Sequence, residues 1–148
     1  MLTHQVYFYD DLPKDTLYDI LALRNRVFAV EQQCLFLDVD GYDKKAHHFC
    51  LFDQDVLIGY VRFFAPGIKD TASYFGRVAI HPDHRGKKLG HLLVAEVLKS
   101  IESLFGKVSI KIQAQAQLEN FYQTHGFKTI AEPYIFEGIP HIDMLRVA

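Results

Sequence analysis

Arg85-Gly86-Lys87-Lys88-Leu89-Gly90 sets three cations and two glycines ahead of a segment whose apolar residues recur at helical spacing. The first turn of a helix has backbone N–H groups without intrahelical partners and a partial positive charge, so such a loop can hold a phosphate. Glycine lets the backbone approach an anion, and Arg85, Lys87 and Lys88 add charge. Further on, Phe121-Tyr122-Gln123-Thr124-His125-Gly126-Phe127 offers the Tyr122 phenol, which can donate a proton or pack in a core beside Phe121. Gly138-Ile139-Pro140-His141-Ile142 offers an imidazole, the side chain that exchanges a proton near neutral pH, with Pro140 restricting the backbone beside it. Arg24 and Arg77 can grip a carboxylate or phosphate bidentately, and can equally pair with Glu31 or with the acidic run Asp38, Asp40, Asp43. Glu31 and Asp40 compete with His141 as bases, or hold an amine.

These groups need elements to position them. Gln5 to Tyr9 reads as a short strand broken by Asp10, Asp11 and Pro13. Leu17, Ile20, Leu21, Arg24, Val27, Phe28 and Glu31 then recur at helical spacing. Phe49–Phe52 and Val56–Phe64 read as strands around a tight turn near Asp53-Gln54-Asp55, and Tyr74–Ile80 is a third strand leading into the basic loop. The helix behind the loop runs from about His91 to Leu104, with Leu93, Val94, Val97, Leu98, Ile101 and Leu104 on one face, and Gly106 closes it. A right-handed helical backbone at Lys88 would open that helix without strain. Val108, Ile110, Ile112 and Ala114 alternate with polar residues as in a strand. A short helix follows through Leu118, Phe121 and Tyr122, then closing strands at 127–131 and 142–147. The order predicts a mixed α/β (α+β) architecture: helices covering a largely antiparallel sheet, in a single domain over residues 1–148.

Bulk properties narrow the class. The 148 residues suffice for one core, with 49% hydrophobic and 23% charged residues typical of a globular chain. A net charge of −2 argues against general nucleic-acid binding. Cys34 and Cys50 make no disulfide framework and suit a reducing, cytoplasmic setting. The N-terminal residues lack a signal-peptide pattern, and no apolar run is long enough to span a bilayer. No metal is expected: His47, His48, His81, His84 and Cys50 lack paired ligand spacing, and adjacent residues on a strand face opposite ways. A dinucleotide fold is disfavoured, since no Gly-x-Gly-x-x-Gly follows the first strand.

Four segments in order resemble the GNAT superfamily, the Gcn5-related N-acetyltransferases. They are the strand and loop Gly76–Gly90, Phe121-Tyr122-x-x-x-Gly126-Phe127 with Gln115 upstream, Val27–Gln32 with the acidic run behind it, and Gly138–Ile142 followed by Met144. The last two, with Ala114-Gln115-Ala116, are similar to the ElaA-like branch. Lys88 stands where the family usually has a glycine. The resemblance implies the GNAT acyl-CoA N-acyltransferase fold and an acetyl-CoA-dependent transfer to a primary amine of a small molecule, by direct attack on the thioester through a tetrahedral intermediate. It implies that backbone groups of Val78, Ala79 and Ile80 meet the pantetheine arm. The pyrophosphate would lie on Arg85, Gly86, Lys87, Lys88, Leu89, Gly90 and His91, with Phe121 and Tyr122 beside the cofactor. Tyr122 would be the general acid, and His141, directly or through water, the base. Arg24, Glu31, Asp40, Arg77 and Gln115 are the candidate acceptor-binding residues. The resemblance also allows a homodimer, and a non-catalytic acyl-CoA sensor is the alternative function.

Overall fold

The computed structural model describes residues Met1–Ala148. β1 (Leu2–Phe8) is followed by α1 (Lys14–Arg24), β2 (His47–Asp53), β3 (Val56–Phe64), β4 (Ser73–Ile80) and α2 (Leu89–Phe105). β5 (Ile110–Gln115), α3 (Glu119–Gln123), β6 (Lys128–Thr129), β7 (Tyr134–Phe136) and β8 (Ile139–Arg146) complete the chain. The strands form one sheet in the order β1-β2-β3-β4-β5-β8-β6, with β7 also paired to β8. Every pairing is antiparallel except β4 with β5. This is the mixed, mostly antiparallel α/β sheet expected from the order of elements.

Each face of the sheet is covered by a helix. Leu93, Val94, Val97 and Ile101 of α2 pack over Phe49, Val61, Phe63 and Phe75, extending to Ile110 and Ile112 of β5. On the opposite face Ile20 and Leu23 of α1, with Val27, meet Cys50, Leu57, Tyr60 and Ala79. β3 is buried from Leu57 to Phe64, which is why its apolar run is continuous rather than alternating. Gln54 and Asp55, both at positive φ, make the two-residue turn between β2 and β3. His47 and His48 do face opposite ways. His47 stacks on Phe63 with ring centroids 5.2 Å apart, whereas buried His48 bonds Tyr60 Oη at 2.6 Å and the Asp43 carbonyl at 2.9 Å.

Three elements differ from expectation. The first helix does not stay α-helical through Glu31: Asn25–Glu31 is π-helical. Arg24, fully buried, is clamped by carboxylates from the following loop, and the wider turn begins directly after it. A closing strand at 127–131 shrinks to Lys128–Thr129, and a hairpin at Glu137-Gly138, both at positive φ, adds β7. α2 starts at Leu89, two residues before the expected His91. No helix is long and apolar enough to cross a membrane.

Candidate functional site

β4 and β5 pair only at Ser73–Ile110 and Tyr74–Lys111. Beyond Tyr74 they part, and a cleft of about 540 Å³ opens between them. Its walls are Phe75 to Val78 and Ile80 on one side and Ile112 to Gln115 on the other, with Phe121 and Tyr122 of α3 also lining it. The parting coincides with a bulge in β4, where Tyr60 faces Ala79 but Arg62 faces Gly76, leaving Arg77 and Val78 opposite a single residue. Arg77 sits at φ 51°, a left-handed conformation that a non-glycine residue adopts at a cost of about 1–2 kcal/mol.

The hydrogen-bond phase of β4 decides which groups face the cleft. The His81 N–H donates to the Ile58 carbonyl, so by alternation Ala79 also faces β3. Val78 and Ile80 then turn their N–H and C=O groups away from β3, into the gap. The Ile80 carbonyl accepts there from Arg85 Nε and Nη2, at 3.2 and 3.0 Å. Arg85 Nη1 lies 2.7 Å from Glu31 Oε1, so the two residues join across the mouth of the cleft.

The basic loop presents bare backbone. The N–H groups of Gly86 through His91 have no acceptor within the protein, and Leu92 N–H is the first to bond back, to the Lys88 carbonyl. Gly86 is at φ 84°. Lys88 is at φ 58°, ψ 26°, left-handed, which corrects the expected right-handed helical backbone. The chain must turn sharply to aim successive amides outwards before entering α2, and the left-handed residue makes that turn. Gly90 lies against the Phe121 ring, which would come within 3.4 Å of a Cβ there. The His91 ring is already engaged: its Nδ1 is 2.9 Å from His125 Nε2, and both rings pack on Phe121.

Tyr122 is buried, with Phe75 and Phe127 against its ring and its hydroxyl unbonded to any protein group. Burial pushes its phenol up to about 12, so it stays protonated at neutral pH. His141 lines the cleft from β8, edge-on to Phe136 and opposite Gln115 in the sheet. Its Nδ1 lies 2.7 Å from the Ile139 carbonyl. A carbonyl only accepts, so Nδ1 carries the hydrogen and Nε2 of the neutral ring keeps a free lone pair. Gln115 borders the cleft, with its side-chain oxygen accepting from Gln117 Nε2 at 2.7 Å.

The remaining charged candidates form a network of their own. Arg24 binds Asp38 and Asp43, each at 2.8 Å, and Arg62 binds Asp40 at 2.5 Å and Asp43 at 3.0 Å. Arg77 Nε lies 2.7 Å from Asp38 Oδ1, but the N–H points aside, making a charge contact rather than an aligned hydrogen bond. Burial alone would raise the Asp43 carboxyl; the hydrogen bond and charge of Arg24, then Arg62, hold it below its ordinary 3.8. Asp40 is also lowered: burial opposes ionisation, but Arg62 outweighs it. Arg24 and Asp40 do not line the cleft, whereas Glu31, Arg77 and Gln115 do. The acidic run thus meets arginines of the chain itself, one of the two alternatives its sequence left open. Sequence reasoning missed Arg62 and Lys69, whose charges lie inside or beside aromatic strand runs that read as core. No group of three or more His, Cys, Asp or Glu side chains is arranged to hold a metal.

Known proteins share this fold. A 36% identical relative from Synechocystis sp., UPF0039 protein sll0451, aligns over 93% of this chain and 90% of its own. Protein ElaA of Escherichia coli is 34% identical over 99% of this chain and 97% of its own. The crystal structure of E. coli ElaA superposes with a TM-score of 0.92 over 99% of both chains. An acyl-CoA N-acyltransferase from Pseudomonas aeruginosa, also 34% identical, superposes with a TM-score of 0.96 over 99% of this chain and all of that one. The acetyltransferase (GNAT) domain family matches residues 22–147, and with full-length similarity to ElaA this chain belongs to the GNAT acetyltransferases.

Proposed function

We propose that the protein transfers the acetyl group of acetyl-CoA to a primary amine of a small molecule. The observation that carries this reading is the continuity of one surface: a parted strand pair whose Val78 and Ile80 backbone groups turn into the gap, the Ile80 carbonyl there held by Arg85, leading to the unbonded amides Gly86–His91. A thioester cofactor with an extended, amide-bearing arm and a pyrophosphate fits that surface in both shape and charge.

The residues divide the work. The amides of Gly86 through His91, with Lys87 and Lys88 beside them, hold the pyrophosphate, and Arg85 adds its charge from the end of β4. Val78 and Ile80 bond the arm as an added strand, and one N–H from this bulged strand polarises the thioester carbonyl. Phe121 closes the site over Gly90. The acceptor amine attacks the carbonyl carbon; its C–N bond forms first to give a tetrahedral intermediate, and collapse of that intermediate breaks the C–S bond. His141 Nε2 takes the proton the amine loses, directly or through water, and Tyr122 Oη gives one to the departing thiolate. The high pKa of Tyr122 keeps it in the donor form throughout. Glu31 and Gln115 face the acceptor from opposite walls.

The test is a thiol-release screen with acetyl-CoA against amino acids, amino sugars, polyamines and peptides. Release that depends on the amine supports the reading. Tight acetyl-CoA binding without release for any class would favour a sensor.

A further inference from the structure

The charges along the acceptor wall do not cancel. Arg24, Arg62 and Arg77 are matched by Asp38, Asp40 and Asp43, and Arg85 by Glu31. Lys69 stands in the same field, close to Arg62, Asp40 and Arg77, yet forms no ion pair. Its ammonium lies 4.6 Å from the Tyr42 ring centroid and 4.8 Å from that of Tyr74, with Phe64 at 5.8 Å. Those rings hold a cation in place without neutralising it. Burial, then the charge of Arg62, lowers its pKa, a cost that a bound anion would offset. Lys69 lines the cleft.

Its position separates it from the phosphate loop. Tyr74 is where β4 leaves β5, so Lys69 stands at the closed end of the cleft. From Tyr74 to Ile80 the strand spans about 20 Å, and the Gly86–His91 amides lie beyond that. One anion cannot serve both ends. The rim between them is apolar, with Phe36, Leu37 and Phe136 exposed beside His141.

We propose that Lys69 is the carboxylate-binding residue of the acceptor site, so that the acceptor is an amine bearing a carboxylate and an apolar side chain, as in an apolar α-amino acid. This rests on the acetyltransferase reading of the cleft. Arg24 and Arg77, the cations first noticed in the sequence, are occupied by Asp38, Asp40 and Asp43. The surplus charge is therefore that of Lys69.

Calorimetric titration of the CoA-saturated protein with N-acetyl-L-phenylalanine and with N-acetyl-2-phenylethylamine isolates the carboxylate, the only group by which these product analogues differ. The acid should bind about tenfold tighter or more, as a charge-assisted pair requires. Lys69→Met, which keeps the stem between the rings, should erase that preference, and Lys69→Arg should retain it. Equal binding, no binding of either, or a preference that survives Lys69→Met would overturn the assignment. So would a preference for succinyl-CoA over acetyl-CoA that Lys69→Met removes, since the cation would then serve the acyl chain. The titration needs no turnover. Lys69-dependent binding without thiol release from acetyl-CoA would therefore sink the transferase reading and leave the carboxylate site standing.

Discussion

Glu31 and Arg85 meet at 2.7 Å across the mouth of the cleft, tying the end of the π-helical stretch to the end of β4. The same guanidinium caps the Ile80 carbonyl. Before cofactor binds, the cation best placed to meet a pyrophosphate is thus held by a carboxylate and by the strand the cofactor would join. Both partners are partly exposed, so their pairing contributes at most about 1 kcal/mol. Glu31→Gln should tighten acetyl-CoA binding a few-fold, with a steeper loss on adding salt, because the freed cation meets the anion with no competing pair to be screened; titration calorimetry at two ionic strengths measures both.

Tyr122 has no protein partner for its hydroxyl and a pKa of about 12. Tyr122→Phe should lower kcat by about two orders of magnitude or more while leaving acetyl-CoA affinity within twofold, because general acid catalysis typically contributes that much. In the unaltered protein, kcat should show no loss from Tyr122 ionisation below about pH 11, one unit under that pKa. Steady-state kinetics across pH checks both.

His141→Gln should lower kcat about a hundredfold with little change in acetyl-CoA binding, since the lone pair on Nε2 is lost while the Pro140 backbone and strand pairing remain. Equal kcat in the two proteins would assign the base to water or Glu31.

The arginine–aspartate network anchors the acidic run to the sheet. Removing Arg24 takes from buried Asp43 its nearest cation and from Asp38 one of its two, and Arg24→Ala should destabilise the fold by about 3 kcal/mol. The pH dependence follows from the lowered Asp40 and Asp43 pKa values. A carboxyl depressed on folding contributes its full stabilisation above its unfolded pKa, near 3.9, and loses it as pH falls towards the folded value. The contribution of these two residues should be constant above about pH 5 and fall away below pH 4, as urea melts at each pH would measure.

Lys88 takes a left-handed conformation that glycine adopts without cost. Lys88→Gly should therefore leave stability unchanged or raise it by up to about 1 kcal/mol, the relieved strain outweighing the added freedom of the unfolded chain. Acetyl-CoA affinity should fall no more than a few-fold, because the backbone amides of the turn remain to meet the pyrophosphate and only one of the flanking cations is lost. Thermal melting with a parallel titration reads both.

Much of this was legible in the residues. Alternation in Ile110–Gln115, the helical stripe from Leu93 to Ile101 and the Gly-Phe ending after Tyr122 all locate elements that the structure contains. Their periods come from local geometry, which a sequence records directly. The left-handed backbone at Arg77 and Lys88 was not legible, since neither residue type favours it and only tertiary constraint holds it there. The π-helical stretch left the apolar spacing of Val27 and Phe28 intact and so looked α-helical. Arg24 and Arg77 could have held a substrate anion or paired with Glu31 or the aspartates, and choosing between these required the loop's path. Lys69 carried no signal in the sequence, because its aromatic cage is assembled from three separate segments.

The central claim is that the parted β4–β5 cleft transfers an acetyl group to an amine. Its most direct test is a single-turnover reaction of the protein with acetyl-CoA and the best acceptor from the amine screen, followed by mass spectrometry. One N-acetylated product should form per thiol released, at a rate that Tyr122→Phe lowers about a hundredfold or more. Thiol release without amide product, or equal rates for the two proteins, would contradict that claim.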